Sequence, residues 1–134
     1  KALAREIEAT EASLRACDHE AAHAMAKRLT AARQAFLDVV DFVVARARTD
    51  PNAAYAGSVP YLLLAGNLVA GWQLGRALLV AHGRLATGND SEFLRNKIAV
   101  ARFYAEHVLT RVPGLRDSVV DGAGAINDVA VEAF

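Results

Sequence analysis

Apolar residues recur at spacings of three and four along most of the chain. Nowhere do they alternate strictly with polar ones over a run bounded by turn residues, so the pattern predicts helices and no strand. In residues 2–16, Leu3, Ile7 and Leu14 share one stripe, thinned by Thr10 and Glu11 in its middle. A second segment, with Asp18 as its candidate cap, carries Met25, Leu29, Ala32, Phe36, Val39 or Val40, Val43 and Ala47. It ends near Thr49, ahead of the turn-rich "DPNAAYAGS". Ser58 is the candidate cap of a third helix, with Pro60 in its first turn; the helix runs to about Thr87, where Gly88 supplies the stop. Asn89 or Asp90 caps a fourth, through about Arg111, and "VPG" at 112–114 breaks it. A fifth covers about 115–133, weakened by Gly122 and Gly124. The prediction is an all-α fold, an antiparallel bundle of four to five helices, as a single domain over residues 1–134.

The third segment holds the most apolar run, "VPYLLLAGNLVAGWQLGRALLVA" at 59–81. It approaches membrane-spanning length, yet Asn67, Gln73 and Arg76 interrupt it, and central polar groups are costly in lipid. A core helix surrounded by others explains it better. Gly71 and Gly75 form a G-x-x-x-G step that lets a neighbouring helix approach closely.

Composition narrows the function. Of 134 residues 54% are hydrophobic and 22% charged, enough for a packed core. Lys+Arg and Asp+Glu number 15 each, a net charge of +0, which argues against nucleic acid and against electrostatic attachment to an acidic membrane. Cys17 is the only cysteine, so there is no internal disulfide, which suits a cytoplasmic location. The sequence starts at Lys1, its one methionine is the internal Met25, and no signal peptide is visible. The expectation is a piece of a longer protein.

The stretch "DHEAAH" at 18–23 matches H-E-x-x-H, the helical pattern by which zinc peptidases place two histidines and a general base. The longer peptidase pattern fails: Ala26 stands where glycine is needed and Leu29 where histidine is needed. His19 and His23 flank the core stripe. A milder alternative is a free-standing bundle binding a metal through His19, His23 and a third histidine, His82 or His107.

Three runs carry a resemblance: "YLLLAGNLVAGWQLGRALLVA" (61–81), "FLRNKIAVARFYAEHVL" (93–109) and "GAGAINDV" (122–129). Tyr61, Leu62, Gly66, Gly71, Trp72, Arg76 and Ala77, then Phe93, Lys97 and Ala101 to Tyr104, then Gly122 and Ala123, fall in the order of one family. The chain resembles the C-terminal helical domain appended to a subgroup of bacterial acyl-CoA dehydrogenases. It departs from that pattern at Pro113, displaced in "LTRVPG", and at Asn67 and Gly75 inside the apolar helix. The resemblance implies a parent flavoprotein in the cytoplasm that oxidises an acyl-CoA thioester at its α and β carbons. A glutamate base takes the α proton and FAD takes hydride. The base and the FAD site belong to the catalytic body of the same polypeptide, so no catalytic residue, cofactor or metal is assigned here. The chain is then a non-catalytic module that packs on the body, supports a homo-oligomer or shapes the acyl-CoA entrance. Its candidate contact residues are Tyr61, Asn67, Trp72, Arg76, Lys97, Arg102 and Tyr104.

Overall fold

A computed structural model describes residues 1–128. Helix α1 spans Ala2–Ala16 and α2 spans Glu20–Arg46. A short α3 covers Pro51–Ala56, α4 covers Ser58–Ala86 and α5 covers Glu92–His107. After a 3-10 turn at Leu109–Arg111, α6 runs over Val112–Val120, and a second 3-10 turn follows at Gly124–Asp128. No strand occurs among the described residues, and the long helices form the expected all-α bundle.

Side-chain pairings fix the directions. Glu11 meets Arg33 and Arg15 meets Thr30, so α1 and α2 are antiparallel. His19 meets His82 and Phe36 meets Tyr61, so α2 and α4 are antiparallel. Tyr104 meets Asn67, so α5 runs back along α4. Helix α2 is the hub, packing on α1, α4, α5 and α6. Its predicted stripe supplies the buried Met25, Leu29, Ala32 and Val39, while Phe36 and Val43 are partly covered. Ile7, Leu14, Leu64, Leu68, Leu78 and Leu109 complete the centre. Each fully buried aliphatic side chain contributes about 1.5–3 kcal/mol of transfer free energy.

Several boundaries differ from the sequence reading. The cap of α2 is His19, whose Nδ1 accepts the Ala21 N–H, not Asp18. The "DPNAAYAGS" stretch is not merely a turn: Asp50 accepts the Ala53 N–H and Pro51 fills the first turn, which starts α3. Helix α4 therefore begins behind Gly57, and the Ser58 hydroxyl instead donates to the Tyr55 carbonyl. Ser91, rather than Asn89 or Asp90, precedes α5. Pro113 opens α6 instead of breaking the chain, because a proline in the first helical turn removes no needed N–H. The predicted fifth helix thus starts earlier and stops at Val120; its part beyond residue 128 lies outside the described residues.

Glu11 did not thin the stripe of α1. It is fully buried between α1 and α2, where Arg33 donates from Nε at 2.7 Å and from Nη2 at 3.1 Å. Arg15 donates at 3.1 Å and the Thr30 hydroxyl at 2.8 Å. The hydrogen bond to Glu11 holds the Arg33 guanidinium above its ordinary value, against the opposing effect of burial.

Both glycines of the G-x-x-x-G step face into the bundle. A Cβ on Gly71 would lie 2.8 Å from Leu109 Cδ2, and one on Gly75 would lie 3.2 Å from Leu14 Cδ1. Helix α4 is long and apolar enough to cross a membrane, with a mean hydropathy of 1.3 over its best window, but only 28% of that window is buried. It is therefore not a surrounded core helix. Leu64, Leu68, Gly71, Gly75, Leu78 and Ala81 form an inner stripe. Leu62, Leu63, Val69 and Val80 on the other side are exposed.

Candidate functional site

Helices α4 and α5 form a hairpin closed by Gly88, whose φ of 84° lies in the region that favours glycine. Between them runs an open cavity of about 450 Å³, walled by Arg76, Val80, Arg84, Phe93, Leu94 and Lys97. Helical spacing explains the wall: residues 76, 80 and 84 are one turn apart on α4, as are 93 and 97 on α5. Along the hairpin from this groove, Leu63, Val69, Val100 and Phe103 are also exposed, so the outer face of the α4–α5 pair is apolar with a cationic end.

The seven sequence-predicted residues separate into three groups. Arg76 and Lys97 both line the groove. Trp72 stands behind Arg76, whose guanidinium carbon lies 5.4 Å from the indole centroid, and the indole N–H donates to the Thr10 hydroxyl at 2.8 Å. Asn67 and Tyr104 face each other, the phenol lying 3.5 Å from both the Asn67 carbonyl and its side-chain oxygen. Burial pushes the Tyr104 phenol up from its ordinary value. Tyr61 and Arg102 sit apart from the groove. Tyr61 packs on Phe36, ring centroids 6.2 Å apart. Arg102 grips Glu20 through two bonds of 2.8 and 3.2 Å, tying α5 to the start of α2, and that pairing raises its guanidinium above the ordinary value. The groove also recruits Arg84, Val80 and Phe93, which were not among the candidate contact residues; spacings of four and eight from Arg76 and of four from Lys97 were the available signal.

The histidines do not assemble. His19 meets His82 edge to face, ring centroids 5.3 Å apart, but His23 is exposed and His107 stacks on Phe103. No group of three metal-ligating side chains occurs among the described residues. His19 ends a helix instead, and its acceptor nitrogen is used for the cap.

With this geometry in view, residues 3–130 match the family model described as acetyl-CoA dehydrogenase C-terminal like. The chain belongs to that family. It is 46% identical over 119 residues to a 3-methylmercaptopropionyl-CoA dehydrogenase of Ruegeria pomeroyi, covering 89% of this chain and 20% of the relative. It is 33% identical over 101 residues to the broad-specificity linear acyl-CoA dehydrogenase FadE5 of Mycobacterium tuberculosis, covering 71% of this chain and 16% of the relative. The chain thus spans a fifth or less of the length of these two curated relatives. No solved structure matches it. Membership in the acetyl-CoA dehydrogenase C-terminal-like family agrees with the resemblance read from Tyr61 to Ala123, and Gly71 of that pattern takes its place against Leu109.

Proposed function

We propose that this chain is the non-catalytic helical module of a flavoprotein that dehydrogenates an acyl-CoA thioester between its α and β carbons. The observation that carries the reading is the coverage: the family model spans residues 3–130 of this chain, yet the aligned stretch fills only 20% of the 3-methylmercaptopropionyl-CoA dehydrogenase. The chain's own cavities support a division of labour. The α4–α5 groove is an open cleft of about 450 Å³ on two helices, and it does not fit a flavin dinucleotide, whose site normally encloses most of the ligand. FAD would therefore sit in the catalytic body, and no redox step is routed through the residues described here. The flavin supplies the hydride acceptor and the body orients it.

The module docks on that body through the outer face of α4 and α5. Leu62 is 74% exposed and Phe103 60%, an apolar surface of the kind that marks an interaction site. A dehydrogenase of this type acts in the cytoplasm, as a homo-oligomer. The test is to express the complete reading frame and this chain side by side. The complete protein should be yellow and reduced by an acyl-CoA, and this chain alone colourless and inactive. Stoichiometric flavin and turnover in this chain alone would overturn the reading.

A further inference from the structure

The α4–α5 groove concentrates charge of one sign. Helix α4 contains no Asp or Glu in its 29 residues, and no carboxylate lines the groove. Arg76, Arg84 and Lys97 enter no ion pair among the described residues. The acidic residues nearest in sequence on the α5 side are Asp90 and Glu92; Asp90 is held by Arg95, and neither lines the cleft. In a chain of net charge +0, three clustered cations are a local excess that attracts an anion.

The rest of the wall is apolar and aromatic. Val80 and Leu94 lie among the cations, and the ring of Phe93 is 65% exposed with the Lys97 ammonium 5.2 Å from its centroid. An exposed aromatic ring beside cations is how proteins hold a base next to its phosphates. The cavity, about 450 Å³, falls within the range of about 300–1,000 Å³ usual for small-molecule sites. Guanidinium groups pair phosphate oxygens two at a time, and Arg76 donates one hydrogen bond of 3.1 Å, to the Gln73 side-chain oxygen, besides its stacking on Trp72.

We propose that this groove binds a phosphorylated nucleoside: Arg76, Arg84 and Lys97 hold the phosphates and Phe93 carries the base. The choice of this ligand rests on the reading above, because a coenzyme A thioester ends in a phosphorylated adenosine. The module would then grip the end of the substrate opposite the reacting carbons, and the groove would add to binding and not to the chemical step.

The experiment is a titration of this chain with adenosine 3′,5′-bisphosphate, read by calorimetry and by the fluorescence of Trp72, the only tryptophan. Saturable one-site binding that weakens as salt rises is the expected result. Arg84→Glu and Lys97→Glu alter exposed side chains, so circular dichroism should stay unchanged while affinity falls about tenfold or more in each. Phe93→Ala should weaken binding and leave its salt dependence in place. Absence of saturable binding, or affinity untouched by both charge reversals, would overturn the proposal. So would inorganic phosphate or an acidic peptide competing as strongly as the nucleotide. The two readings fail separately. Nucleotide binding here, with no flavin in the complete protein, would keep the groove and sink the dehydrogenase. Flavin and turnover in the complete protein without nucleotide binding here would do the reverse.

Discussion

The indole N–H of Trp72 donates to the hydroxyl of Thr10 at 2.8 Å, joining residues 62 positions apart. The same hydroxyl donates to the Glu6 carbonyl at 3.2 Å, so Thr10 is satisfied on both sides. Thr10→Val keeps the shape and removes the acceptor. It should lower stability by about 1–2 kcal/mol, the cost of leaving a half-buried N–H without its partner. Urea unfolding measures the loss, and the Trp72 emission of the folded state should shift with it. An unchanged midpoint and an unchanged spectrum would show that the bond contributes nothing.

Glu11 is the centre of the α1–α2 seam. Glu11→Ala leaves Arg33, whose side chain is only 13% exposed, without its partner, and should cost about 3 kcal/mol. Arg33→Ala should cost a similar amount, and the double variant much less than the sum, because the first change already breaks the pair. Additive losses in a double-mutant cycle by urea unfolding would refute the coupling.

Two glycines of α4 should answer oppositely to alanine. Gly71→Ala drives a Cβ to 2.8 Å from Leu109 and should destabilise by about 1–3 kcal/mol. Gly66→Ala meets nothing within 4 Å and should stabilise this chain by about 0.5–1 kcal/mol through helix propensity alone. Thermal unfolding separates them. Because Gly71 lies inside the chain's own core, its replacement reports on packing and not on dimerisation.

The pH profile follows from two raised groups. Burial, then Asp18, pushes the Cys17 thiol up, and burial pushes the Tyr104 phenol up. Each folded-state value lies above the unfolded one, so the stability these groups contribute is complete below the ordinary thiol and phenol values. It is lost as pH rises through the raised ones. The urea midpoint should therefore fall from about pH 9 upward, and Cys17→Ala with Tyr104→Phe should flatten that fall. A steeper fall in the double variant would reverse the sign assigned here.

How much of this was readable beforehand depends on whether a residue acts through its neighbours in sequence. Met25, Leu29 and Ala32 declare the buried face of α2 by spacing alone, and the structure buries all three. Glu11 has the same position on α1, but its burial depends on Arg33 in another helix, which no local pattern contains. Pro113 was misread for a related reason: proline forbids a helix interior but favours a helix start, and only the preceding 3-10 turn decides between them. The groove was half legible. Arg76 and Lys97 stood out within the family-like runs, whereas Arg84 joins them only because α5 folds back beside the last turns of α4.

That hairpin should also order the assembly of the molecule in time. Between Ala86 and Glu92 only a short loop separates the two helices, so their contacts close with little chain entropy lost. Thr10 must reach Trp72 across more than sixty residues, a far slower closure of the same chain. The walls of the groove should therefore be early partners in folding, as should α1 and α2 across the short loop between Ala16 and Glu20, while the contact between α1 and α4 should close late. Thr10→Val should then quicken unfolding while leaving the folding rate nearly unchanged, the kinetic mark of a contact made after the barrier is crossed.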